Sequence, residues 1–175
     1  MAFLISLALA LILVFTCSGA LKKNPTPFYL IAAAIALAVI GCALADVPLS
    51  PFIKAWVWPV IARGALAGAL FVLVMVAGAF PNGSAGAKKL MPIRGQLSIL
   101  ACILTLGHNI AYGRTYFVML FTRPARMPFP TLLAAVCSIL MILIMLPLFV
   151  TSFPAVRKRM DGRKWKRLQR WASGF

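Results

Sequence analysis

Acidic side chains are nearly missing from this chain. Among 175 residues there are two, Asp46 and Asp161, and no glutamate. They lie far apart in the sequence, so no carboxylate pair can share general acid and base work. A carboxylate-rich metal site is excluded for the same reason. Histidine occurs once, at His108. The four cysteines, Cys17, Cys42, Cys102 and Cys137, form no Cys-x-x-Cys pair, and each falls in or near the end of a different apolar run. That spacing supports neither a zinc site nor a thioredoxin-like motif. They read as small hydrophobes packed between helices.

Apolar residues are abundant: 63% of the chain is hydrophobic. A soluble domain cannot hide that much apolar surface, and the bilayer is its natural solvent. Roughly 20 mostly apolar residues make a membrane helix. Backbone polar groups in lipid must be satisfied internally, which leaves helices or a closed barrel. The runs lack the period-2 alternation of a barrel. The fold class is therefore all-α, a polytopic membrane helical bundle of about five transmembrane helices. Its spans fall near residues 2–20, 27–46, 58–80, 93–113 and 129–152, with the fourth able to run on to Phe121. Residues 1–156 form the transmembrane domain, and 157–175 form a basic amphipathic tail.

The positive charge, 18 Lys plus Arg, sits at the ends of apolar runs. Topology signals and phospholipid headgroup contacts take that place, so the lipid bilayer and no nucleic acid is the expected partner. Lys22, Lys23, Lys88, Lys89 and the tail share one side by alternation of five spans. The positive-inside rule makes that side cytoplasmic, in a bacterial-type inner membrane. Arg114, Arg123 and Arg126 on the other side weaken the bias.

Local signals punctuate the runs. Asn24-Pro25 ends the first, and Pro27 suits the start of the second. Asp46-Val47-Pro48 closes the second, and a short amphipathic link with Trp56 and Trp58 suits an interface. Gly64 and Gly68, four residues apart, permit close helix packing. Residues 81–89 read as a flexible basic loop, without the glycine spacing of a phosphate-binding loop. Pro147 lies inside the fifth run.

His108 stands out because an imidazole in a bilayer is costly and needs a partner. It lies fourteen residues from Arg94, about 21 Å along a helix. Tyr112, four residues on, shares its face, and Gly107 and nearby small residues leave room for a flat cofactor. Two partners suit it: a haem iron, or a neighbouring backbone carbonyl or hydroxyl.

The segment Arg94-Gly95, the apolar stretch, His108 and Tyr112 resembles the first haem-ligand helix of ferric reductase-like transmembrane proteins. Thr151-Ser152-Phe153 and Arg163-Lys164-Trp165-Lys166-Arg167-Leu168-Gln169-Arg170 resemble that family's tail, particularly in the haem-bearing membrane subunit of the periplasmic methionine sulfoxide reductase system. The resemblance covers roughly residues 58–171. It implies a membrane electron-transfer subunit of an oxidoreductase. A b-type haem on His108 would take electrons from a cytoplasmic flavin such as FMN, a quinone or a reductase partner. Tyr112, Arg94 and Arg63 would be polar or propionate contacts. Two departures bear on this. Gln169 stands where the family has a histidine, and the chain stops where a further ligand-bearing helix would begin. A non-catalytic scaffold or assembly subunit of a larger complex is the alternative. A transporter is less favoured, because the spans hold almost no charge and show no inverted repeat.

Overall fold

The computed structural model describes residues 1–81, 83–153, 156 and 160–163. The expected tail motif from Lys164 through Gln169 to Trp171 lies outside these residues, as do Arg157, Lys158 and Arg159.

The described residues are helical almost throughout and include no strand. Helix α1 is Ala2–Lys23 and α2 is Thr26–Leu44. A π-helical turn, Ile53–Val57, runs into the short α3, Trp58–Ile61, and α4 is Ala65–Ala79. Helix α5, Ala85–Leu90, passes through a 3-10 turn, Met91–Ile93, into α6, Arg94–His108. A π-helical turn, Asn109–Gly113, leads to α7, Arg114–Thr122. A 3-10 turn, Pro124–Arg126, precedes α8, Phe129–Ser152. Among the described residues five helical segments are long and apolar enough to cross a bilayer: Ala2–Lys23, Thr26–Leu44, Ile53–Ala79, Ala85–Thr122 and Phe129–Ser152. The protein is an all-α, multi-pass membrane bundle.

The chain divides into two compact units, Met1–Ala111 and Tyr112–Phe175. The division falls inside the fourth expected span. In the first unit α6 packs against α4 and α2, and α4 also packs against α1. The contact faces are built from small and branched residues: Ala67, Leu70, Leu73 and Ala77 on α4, and Leu97, Leu100, Ala101 and Leu104 on α6. The α6 residues recur every three to four positions, which is one helical face. Lipid tails are as apolar as leucine, so close packing and polar ties hold such helices together. In the second unit α8 packs against α7, and only Ala135 and Thr151 of α8 are buried.

Local chemistry explains the boundaries. The residue before a proline disfavours the α region, so α1 gives out before Pro25. Prolines in the first turn open α2 and α8. Asp46 takes φ 48° just past α2, a left-handed conformation that aspartate tolerates. Pro147 stays inside α8, and its carbonyl accepts the Thr151 hydroxyl at 2.8 Å.

The structure corrects several local expectations. The short amphipathic link with Trp56 and Trp58, expected between the second and third spans, is helical and continuous with the third span. Residues 85–90 are helical rather than flexible loop, because the Ser84 hydroxyl accepts the Ala87 N–H at 3.2 Å and caps them. Cys102 is buried as expected, but Cys137 is exposed on α8. Gly64 breaks the third span with φ 75°, and its close neighbour is the His108 side chain of α6. Gly68 does face another helix, with Phe3 of α1 in ordinary contact range.

Candidate functional site

The third span breaks where Ala62, Arg63 and Gly64 separate α3 from α4. Glycine at residue 64 permits the left-handed turn, which a side chain would oppose. A break inside a membrane span leaves carbonyls of the preceding turn without their usual helical partners. In lipid such groups must be satisfied from elsewhere. The carbonyl of Ala62, a fully buried residue, accepts the Nδ1–H of His108 at 2.7 Å. A carbonyl oxygen can only accept, so this bond places a proton on Nδ1. The imidazole lies against Gly64: a Cβ built there would stand 3.3 Å from the ring's Cδ2 and 3.6 Å from Nε2.

His108 is the last residue of α6, and α-helical bonding gives way to a π turn beyond it. Irregular helix of this kind often accompanies a functional residue. At the opposite end of α6, Arg94 donates its Nε–H to the carbonyl of Val74 on α4 at 3.1 Å. Its guanidinium lies over Gly78. The antiparallel α4–α6 pair is therefore tied by one polar side chain at each end, both supplied by α6 and both received by backbone carbonyls.

Of the four residues singled out from the sequence, the structure brings His108 and Arg63 to one locality. Arg63 is exposed and sits between the residue that accepts His108's proton and the glycine beneath its ring. Arg94 is a whole helix away from them. Tyr112 lies in the π turn and belongs to the second unit. Ala62 and Gly64, which define the surroundings of His108, were missed as partners. Glycine 64 carries a signal in retrospect, since it follows a proline-containing turn and precedes a strongly helical run.

A haem on His108 needs a coordinating nitrogen, a flat space and cations for its propionates. On the first need, the bond from Nδ1–H to a backbone carbonyl fixes the ring in the tautomer that metal-ligating histidines commonly adopt. The second need is not met at Gly107. A Cβ there would stand 2.7 Å from the Cβ of Ala36 and 3.0 Å from its Cα, so α2 fills the space expected for a cofactor. Arg94 is engaged elsewhere, which leaves Arg63 as the nearby cation. Among the described residues no group of three or more His, Cys, Asp or Glu side chains could hold a metal ion.

The chain is 35% identical, over 176 residues, to a protein of Treponema pallidum (strain Nichols) described as an uncharacterized protein. The alignment covers 100% of this chain and 48% of the relative, so the chain spans about half the length of the curated relative it matches. No protein-family model matches, and no solved structure matches.

Proposed function

We propose that this chain is a non-catalytic membrane subunit, a helical scaffold of a larger assembly, in which His108 is a structural clasp. One observation carries the reading: His108 gives its Nδ1–H to the Ala62 carbonyl at a helix break, where a membrane protein needs a donor. Arg94 serves the other end of the same helix pair in the same way. The setting is a bacterial-type inner membrane with the basic tail on the cytoplasmic side, as the positive-inside rule favours.

The second reading is a membrane electron-transfer subunit related to ferric reductase-like proteins, with haem b on His108 and Arg63 as a propionate contact. The tautomer favours it, since metal-ligating histidines commonly donate their other ring N–H to a carbonyl. A flavin, quinone or reductase partner would supply its electrons.

One experiment separates the two. The full chain is expressed with ample haem supply and purified in detergent beside His108→Ala and His108→Asn. The scaffold reading expects no haem band in the reduced-minus-oxidised spectrum, a lowered thermal midpoint for His108→Ala, and partial recovery for His108→Asn, whose amide can donate in place of Nδ1. A b-type band in the wild type that both variants lose would establish electron transfer instead.

A further inference from the structure

Lys22, Lys88 and Lys89 line one open cleft of about 480 Å³ at the end of the first unit where α1 finishes. Lys22 and Gly19 form one wall, and α5 with Pro92 forms the other. Lys89 reaches across to α1, donating to the Phe15 carbonyl at 3.3 Å and standing 4.6 Å over the Phe15 ring. That double contact holds the Lys89 ammonium against α1 at Phe15, seven residues before Lys22 and so about two helical turns further into the span. Lys22 and Lys88 remain exposed above it.

No carboxylate of the first unit can balance these charges. Its one acidic residue, Asp46, lies past the far end of α2, and those 19 residues span about 28 Å. The cleft also has a defined depth. Helix α1 has 22 residues and is about 33 Å long, close to the hydrocarbon thickness. Its last turn, with Lys22, therefore sits at headgroup level. Three ammonium groups, apolar walls and this depth match one ligand chemistry, a phosphate monoanion carried on an apolar body.

We propose that this cleft binds the phosphate head of an anionic phospholipid. Lys89 anchors the phosphate from below, Lys22 and Lys88 close on it from the two walls, and the apolar walls take the glycerol and upper acyl carbons. Gly19 lines the cleft, and a Cβ built there meets nothing within 4 Å, so a larger side chain can be added at this wall without a clash. The site is independent of His108 and of either reading of it.

The test uses the full chain, delipidated in detergent and titrated with phosphatidylglycerol, phosphatidylcholine or inorganic phosphate while thermal unfolding is followed. A ligand that prefers the folded state raises the midpoint in proportion to its occupancy. Phosphatidylglycerol is expected to raise it saturably and phosphatidylcholine not. The variant Lys22→Gln/Lys88→Gln/Lys89→Gln should weaken the half-saturating concentration by on the order of 100-fold, from the usual attraction of an interfacial lysine to anionic lipid. Gly19→Leu keeps every charge and fills the cleft, and it should weaken binding comparably; it tests the site even if the triple variant fails to fold. A third variant with Arg163, Lys164, Lys166, Arg167 and Arg170 changed to Gln should keep the saturable response. The proposal is overturned if the two lipids act alike, if inorganic phosphate alone reproduces the full shift, if Gly19→Leu binds as the wild type does, or if only the tail variant loses the response.

Discussion

His108 and Ala62 are joined across the first unit by a 2.7 Å hydrogen bond from imidazole Nδ1 to a backbone carbonyl. The bond links the last residue of α6 to the gap between α3 and α4. A side chain that the sequence marks as a possible ligand is thereby placed where an interrupted helix needs a donor. Removing it leaves a buried carbonyl unsatisfied, a loss of about 1–3 kcal/mol. We expect His108→Ala to lower the thermal midpoint in detergent, with His108→Asn intermediate. Equal midpoints for all three proteins would show that the bond contributes nothing to stability.

Gly64 underlies the same contact. Alanine there must adopt φ 75°, at a cost of about 1–2 kcal/mol, and its Cβ would press on the imidazole ring. Gly64→Ala should therefore destabilise the protein. Part of that loss should disappear in a His108→Ala background, where the ring is gone. A double-mutant cycle reads the difference, and strict additivity would mean that the ring contact contributes nothing.

Gly107 of α6 lies against Ala36 of α2. A methyl group on Gly107 would stand 2.7 Å from the Ala36 Cβ, so the helices must separate. Overpacking of this kind costs about 1–3 kcal/mol. Gly107→Ala should lower the unfolding midpoint, and Ala36→Gly should recover some of the loss. Were Gly107→Ala as stable as the wild type, α2 and α6 could not lie this close.

Arg94 holds the opposite end of the α4–α6 pair. Polar ties between membrane helices average about 0.6 kcal/mol and reach about 1.7. Arg94→Leu should cost an amount in that range. Arg94→Lys should recover little, since a lysine lacks the Nε–H at the required position.

The arrangement of helix ends predicts a labelling pattern. Lys22 and Lys88 share a cleft at one end of the first unit, and Asp46 lies beyond the other end of α2. In a cysteine-free background, Asn24→Cys and Lys88→Cys should react with a membrane-impermeant maleimide from one side, and Asp46→Cys from the other. Reaction of all three from the same side would contradict the arrangement.

The sequence by itself determined that the chain is helical and crosses a bilayer. Runs of 20 or so apolar residues have one common solution in lipid, because backbone groups there must bond within their own segment. It also determined the limits of the chemistry, since one histidine and two carboxylates cannot build most catalytic sites. What lay beyond it was the partner of each polar residue. His108 and Ala62 are 46 positions apart, and Arg94 and Val74 are 20 apart, so neither pairing follows from helical spacing. Gly107 reads in sequence as open space, and tertiary packing fills that space with Ala36. Gly64 reads as a packing glycine, and the fold uses it to break a helix. Side-chain periodicity reports on which face of a helix is apolar, whereas only the packing of α4, α6 and α2 decides what each face meets.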